Sequence, residues 1–195
     1  MIVLISGKQG SGKTSLAKNL RDYYGVKHGW SVYRKRFADP LYHLHDLIWS
    51  YMGPHAAQPK PKDGRLLQLL GTEWGRKTLG EQVWVNILVD EIKSIVRMHV
   101  KEKRPNFLIT IEDARFENEL HAFPEALRIR LECPPEIRKA RCEAWREDAS
   151  HPSEVGLDQA SFDYYLNTHE ACLESVTEHT IQLIEHVLRG PDDVA

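Results

Sequence analysis

A chain of 195 residues, 42% of them hydrophobic and 28% charged, is the size of one globular domain with a sizeable core. Its formal net charge of −2 argues against a nucleic-acid binder held by a broad basic face. Three cysteines (Cys133, Cys142 and Cys172) with no C-x-x-C spacing fit free thiols in a reducing compartment. No apolar run approaches a membrane span, and MIVLI lacks a signal peptide's basic region, so a cytoplasmic location is expected.

Met1–Ile5 is a short apolar run that reads as a buried strand. GKQGSGKT (7–14) follows it, meeting G-x-x-x-x-G-K-[ST] with Gly7, Gly12, Lys13 and Thr14. Glycines let a loop turn its amide N–H groups inward, and the loop opens a helix whose N-terminus favours an anion. The amides around Gly10, Ser11, Gly12, Lys13, Thr14 and Ser15 are therefore assigned to the phosphates of ATP. Lys13 is expected to act on the transferred group, and Thr14 to serve as a ligand for Mg²⁺. The following helix, about Lys13–Lys27, places Leu16, Leu20 and Tyr23 on one face.

Ser31–Phe37 reads as a second strand, and Asp39 as the N-cap of a helix with Pro40 in its first turn. Residues 53–64, rich in Pro and Gly, read as a loop. Helices are expected over Arg65–Lys77 and Val83–Lys103. Asn106–Ile111 is an apolar strand ending in Glu112 and Asp113. Leu127–Glu132 is another strand, Pro134 begins a helix, and 148–160 reads as a polar loop. A last strand at Phe162–Leu166 precedes a helix over Glu170–Leu188 and a frayed tail.

Alternation of strands and helices implies a five-stranded parallel sheet flanked by helices, an α/β fold of the P-loop NTPase kind. On this reading 1–39, 104–133 and 161–190 form the core of a single domain. Residues of about 40–103 form an acceptor-binding insert, and about 134–160 a lid. The apolar strand before Glu112-Asp113 points to Asp113 as the acidic partner of Mg²⁺, at the strand end where ligands collect; a solvated strand end is the plain alternative. Arg115, two residues on, is placed at the transferred phosphoryl group, where a planar guanidinium binds two oxygens. An ion pair with Glu117 or Glu119 is its alternative. The ten histidines show no zinc spacing, and a zinc site is rejected.

FADPLYHL (37–44), LLQLLGTEWGR (66–76), VWVN (83–86), EDARFENE (112–119) and HPSE (151–154) occur in this order. Together they resemble the phage-type deoxynucleoside monophosphate kinase family, over about residues 1–170. The resemblance implies ATP, Mg²⁺ and transfer of a phosphoryl group to a deoxynucleoside 5′-monophosphate in a host cytoplasm. It assigns Asp39, Gln68, Thr72, Arg76, Arg115 and Trp84 to the acceptor. It departs at Tyr42, where the family usually has lysine. Residues 68, 72 and 76 are four apart and share one helix stripe, while Leu66, Leu67, Leu69 and Leu70 can pack inward; an exposed polar stripe is the alternative. Trp74 and Trp84 suit stacking on a base or packing in the insert. Arg138 and Arg141 resemble lid cations that clamp ATP, with Arg141 acting in catalysis. A salt-bridged surface with Glu136, Glu143 and Glu147 fits them too. Nucleotides are the expected partners, with no nucleic acid and no membrane, and a homodimer is left open. A kinase of another small molecule, or a nucleotide-dependent ATPase or switch, is the alternative function.

Overall fold

The computed structural model describes residues 1–55, 63–142, 145 and 155–189. The HPSE segment (151–154), Glu143, Glu147, most of the Pro-rich loop and the C-terminal tail lie outside the described residues. Contacts divide the chain into two units, one of residues 1–35 and 99–195 and a second of 36–98.

Among the described residues the first unit holds one sheet of five strands. They are β1 (Ile2–Gly7), β2 (Ser31–Lys35), β3 (Phe107–Ile111), β4 (Leu127–Glu132) and β5 (Tyr164–Asn167). The order across the sheet is β2-β3-β1-β4-β5, with every pairing parallel. The expected α/β sheet is therefore present, with its apolar runs β1 and β3 at the centre. A parallel sheet covered on both faces explains why these strands read as continuous apolar runs. Val3, Leu4 and Ile5 are fully buried, as are Leu108 and Ile109. β2 stops at Lys35 and β5 begins at Tyr164, each two residues inside the expected span on that side.

Helix α1 (Lys13–Arg21) packs Leu16, Ala17 and Leu20 on the sheet. It continues as a π-helical turn over Asp22–Lys27. That turn adds residues per repeat relative to an α-helix, so Tyr24, not Tyr23, enters the core. Tyr24 is 3% exposed, and Tyr23 only packs against the cluster from its edge. A C-terminal helix of this unit, Leu173–Arg189, buries Val176, Thr177, Thr180, Ile181 and Ile184 along one face. It begins three residues after the expected Glu170.

In the second unit, α2 spans Asp39–Met52 and α3 spans Gly64–Gln68. Asp63 caps α3, its carboxylate accepting from the N–H groups of Arg65 and Leu66. The buried His45 reaches the same residue: its Nε2 accepts from the Asp63 N–H at 3.0 Å. Asp39 is the first residue of α2 and not its cap. Its carboxylate turns back to Arg36, accepting from the backbone N–H at 2.9 Å and from Nε at 2.7 Å.

Residues Leu69–Leu79 continue α3 as a π-helix. The changed register exposes Leu69, which was expected to pack inward, and buries Gly71 and Gly75 instead. Helix α4 (Val83–Glu102) places Trp84, Val85, Leu88 and Ile92 on its buried face. Trp84 lies against the two glycines. Its Nε1 donates to the Gly71 carbonyl at 2.9 Å, and a methyl group added at Gly75 would sit 2.4 Å from its Cζ2. The glycines thus make room for the indole.

Candidate active site

The loop between β1 and α1 is shaped by its glycines. Gly10 (φ 79°) and Gly12 (φ 96°) lie in the left-handed region that a side chain strains. A Cβ at Gly10 would also meet the Arg138 carbonyl at 2.6 Å, whereas one at Gly12 would meet nothing within 4 Å. Gly10 is therefore required for packing as well as backbone, and Gly12 for backbone alone. Gly12 is the N-cap of α1, so Lys13, Thr14 and Ser15 fall at the helix N-terminus, where N–H groups lack intrahelical partners.

Lys13 Nζ donates to the carbonyls of Gly7 (2.6 Å) and Lys8 (2.9 Å), which folds the ammonium over the loop. Ser11 Oγ is buried and, among the described residues, has no hydrogen-bond partner. Thr14 and Ser15 are exposed. A left-handed cap, an ammonium over the loop and an orphaned buried hydroxyl all suit a polyphosphate.

A pocket at this loop is lined by Ser6, Gly7, Lys8, Lys13, Asp113, Ala114, Arg115, Arg130 and Leu157. Lys13, Asp113 and Arg115, separated by about a hundred positions in sequence, thus line one cavity at the C-terminal end of the sheet. The adjacent carboxylate has a different role. Glu112 is 4% exposed, and its Oε1 accepts from Arg34 Nε (2.7 Å) and Nη2 (2.6 Å). It ties β2 to β3, and Asp113 alone of the two lines the pocket. Glu119 also holds the backbone at Arg115. Its buried carboxylate accepts from the backbone N–H groups of Arg115 (2.8 Å) and Phe116 (3.3 Å), fixing the turn into the short helix α5 (Glu117–Leu120).

An ion bound by Thr14 and Asp113 would have one hydroxyl and one carboxylate from the protein. That donor set suits Mg²⁺, which fills its remaining positions with phosphate oxygens and water.

The two arginines after β4 differ from their expected lid role. They belong to α6 (Pro135–Ala140) and its C-cap. Arg138 is 8% exposed, donating from Nε to the Cys133 carbonyl (3.0 Å) and from Nη1 to the Gln9 carbonyl (3.1 Å). It braces the phosphate loop from behind, with its side chain turned to these two carbonyls. Arg141 is exposed at its surface, but Nη2 donates to the Thr168 carbonyl at 2.8 Å. Thr168 Oγ1 in turn donates to the Ser11 carbonyl at 3.1 Å, so Arg141 supports the loop through one intermediate residue.

In the second unit, Gln68 lines a groove with Asp63, Arg65, Leu66, Leu69 and Glu73. Thr72 and Arg76 are partly buried, and Arg76 Nη1 donates to the Glu81 carbonyl at 3.1 Å. Trp84 is 3% exposed and engaged by Gly71, so it packs inside the second unit and has no face for a base. Trp74, at 45%, is exposed. Arg36, which bonds Asp39, also lies 5.1 Å from the Tyr42 ring centroid.

Sequence reading missed Arg130. Within LRIRLE it alternates with the buried Ile129 and Leu131, and an arginine between core positions at a strand end was the available signal.

No family model matches the sequence, and no curated protein matches it. Solved structures do. A sugar kinase from Janibacter sp. HTCC2649 is 16% identical, with a TM-score of 0.54 over 94% of both chains. The APS kinase CysC of Mycobacterium tuberculosis, solved in complex with AMPPNP and APS, is 10% identical at a TM-score of 0.53, covering 95% of this chain and 97% of that one. TT1252 from Thermus thermophilus is 18% identical at 0.55, with the same coverage of the two chains. The chain therefore has the fold of P-loop kinases over nearly its whole length. Among the described residues no helix is long and apolar enough to cross a membrane.

Proposed function

We propose that this chain is an ATP-dependent P-loop kinase whose acceptor is a deoxynucleoside 5′-monophosphate. The observation that carries the reaction class is the pocket in which Lys13, Asp113 and Arg115 meet at the mouth of a glycine loop. The acceptor rests on the ordered motifs that resemble phage-type deoxynucleoside monophosphate kinases.

In this reading the loop amides from Gly10 to Ser15 bind the ATP phosphates, and Lys13 neutralises charge on the transferring group. Mg²⁺, held with Thr14 and Asp113, supplies further charge neutralisation when bound. Arg115 orients the phosphoryl group and the acceptor phosphate. An oxygen of that phosphate attacks the γ-phosphorus as the bond to the β–γ bridging oxygen breaks, leaving ADP and a nucleoside diphosphate. The attacking oxygen is anionic near neutral pH, so no general base is needed. Arg138 and Arg141 hold the loop in shape. Asp39, Gln68, Thr72 and Arg76 are assigned to the acceptor on the resemblance, which also implies a host cytoplasm as the setting.

The fold is shared with a sugar kinase and an APS kinase, which favours a kinase of another small molecule as the second reading. Measuring ATP consumption with and without a panel of nucleoside monophosphates separates the cases. Consumption that needs a monophosphate supports the proposal. Equal consumption in its absence indicates an ATPase or switch, and none with any monophosphate indicates another acceptor.

A further inference from the structure

We propose that Arg130 is a further phosphate-binding cation of the loop, and that the Asp158 carboxylate occupies Arg130 and Lys8 in the place a polyphosphate takes. The proposal rests on the reading that nucleotide phosphates bind at this loop.

Arg130 pairs with Ser6 in the register of β4 on β1, one position before the loop begins at Gly7. Its guanidinium is held from several sides. Nη1 donates to Ser6 Oγ at 3.1 Å, and Ser6 is 1% exposed. The Phe162 ring centroid lies 5.5 Å from Cζ. Nη2 donates to Asp158 Oδ1 at 3.1 Å. The other oxygen of that carboxylate, Oδ2, accepts from Lys8 Nζ at 2.7 Å. One anion thus bridges two cations through separate oxygens, which is how a phosphate group engages a lysine and an arginine.

Both cations line the pocket that Lys13, Asp113 and Arg115 line. Four cationic side chains line it together with Asp113, and Asp158 bridges two of the four. Asp158 is also a weak holder. Its side chain is 32% exposed and that of Lys8 35%, so water screens the pair and it contributes little net stability. A polyphosphate carries several charges and meets Lys13 and the loop amides as well. Arg130 itself is only 13% exposed and already fixed by Ser6 and Phe162, so little side-chain freedom is lost on binding.

A plain structural tie between β4 and the 155–160 segment makes the opposite prediction for one variant. Removing the Asp158 charge would then loosen the site, whereas a stand-in for phosphate competes with ligand and its removal tightens binding. Calorimetric titration of the intact chain with tripolyphosphate and with ATP, without added metal, reads the difference. Arg130→Gln is expected to weaken both ligands by about tenfold or more, Arg130→Lys by less, and Asp158→Asn to tighten both by about threefold or more. Melting without ligand checks that each variant is folded. Unchanged binding in Arg130→Gln, or unchanged or weaker binding in Asp158→Asn, overturns the proposal. If that occurs while Lys13→Ala abolishes binding, the loop reading stands and only this inference fails. A wild-type chain that binds neither ligand overturns both.

Discussion

Glu112 and Asp113 are neighbours with separable roles, and charge removal should separate them. Glu112→Gln keeps size and an acceptor oxygen but deletes the charge that Arg34 Nε and Nη2 meet at 2.7 and 2.6 Å. Breaking one side of a fully buried ion pair costs about 3–5 kcal/mol. Here the carboxylate is 3% exposed but the Arg34 side chain is 25% exposed, so the guanidinium can recover water. The retained amide oxygen keeps part of the bonding as well. A loss of about 1–3 kcal/mol is therefore expected, or a fall in melting temperature of roughly 2–12 °C for a chain of this size. Asp113→Asn, at the pocket wall, should act mainly on catalysis, reducing turnover and its Mg²⁺ dependence. Urea unfolding of both variants, paired with initial rates over a Mg²⁺ titration, checks the split. A stable Glu112→Gln variant whose Mg²⁺ requirement is lost, beside an active Asp113→Asn variant, would refute the assignment and move the acidic partner one residue back.

Lys13→Ala should leave the chain folded, since the ammonium lies over the loop on the Gly7 and Lys8 carbonyls and outside the apolar core, and should lower kcat about a hundred- to thousandfold or more; near-normal kcat in the folded variant contradicts the loop's role. Arg115→Ala should raise the KM for the acceptor more than that for ATP, as separate substrate titrations will show. Gly75→Ala sets two effects against each other. Alanine favours a helix by about 1 kcal/mol over glycine, but the new methyl would lie 2.4 Å from Trp84 Cζ2 and 2.7 Å from the Leu70 carbonyl. Overpacking of this kind costs about 1–3 kcal/mol, so net destabilisation is expected, with altered tryptophan fluorescence; a stabilised variant with an unchanged spectrum contradicts the packing.

The phosphate loop was legible because its chemistry is local: eight consecutive residues carry the glycines, the lysine and the hydroxyl. The central strands were legible because a sheet covered on both faces demands unbroken apolar runs. What escaped depends on register and on distant contacts. Leucines at spacings of three and four satisfy both α- and π-helical turns locally, so nothing in the pattern showed that Tyr24 would replace Tyr23 in the core or that Leu69 would face outward. Glycine in a helix is locally unfavourable, and the use of Gly71 and Gly75 is apparent only with Trp84 packed against them. Arg138 belongs to a charged helix that looks solvated on paper. Its burial comes with contacts the helix pattern does not show, among them the loop carbonyl of Gln9, 129 positions away. Arg130 and Asp158 likewise meet across 28 positions with no shared motif.

The account is tested most directly by kcat/KM for each deoxynucleoside 5′-monophosphate and its ribonucleotide counterpart, under saturating ATP and Mg²⁺, with the diphosphate product identified. A pocket that excludes a 2′-hydroxyl by packing alone discriminates by up to about a hundredfold. The account predicts diphosphate formation with at least one base and preference for its deoxy form within that range. Equal or better use of the ribonucleotide for every base would contradict the deoxynucleotide assignment, and the absence of any diphosphate product would contradict the nucleotide acceptor altogether.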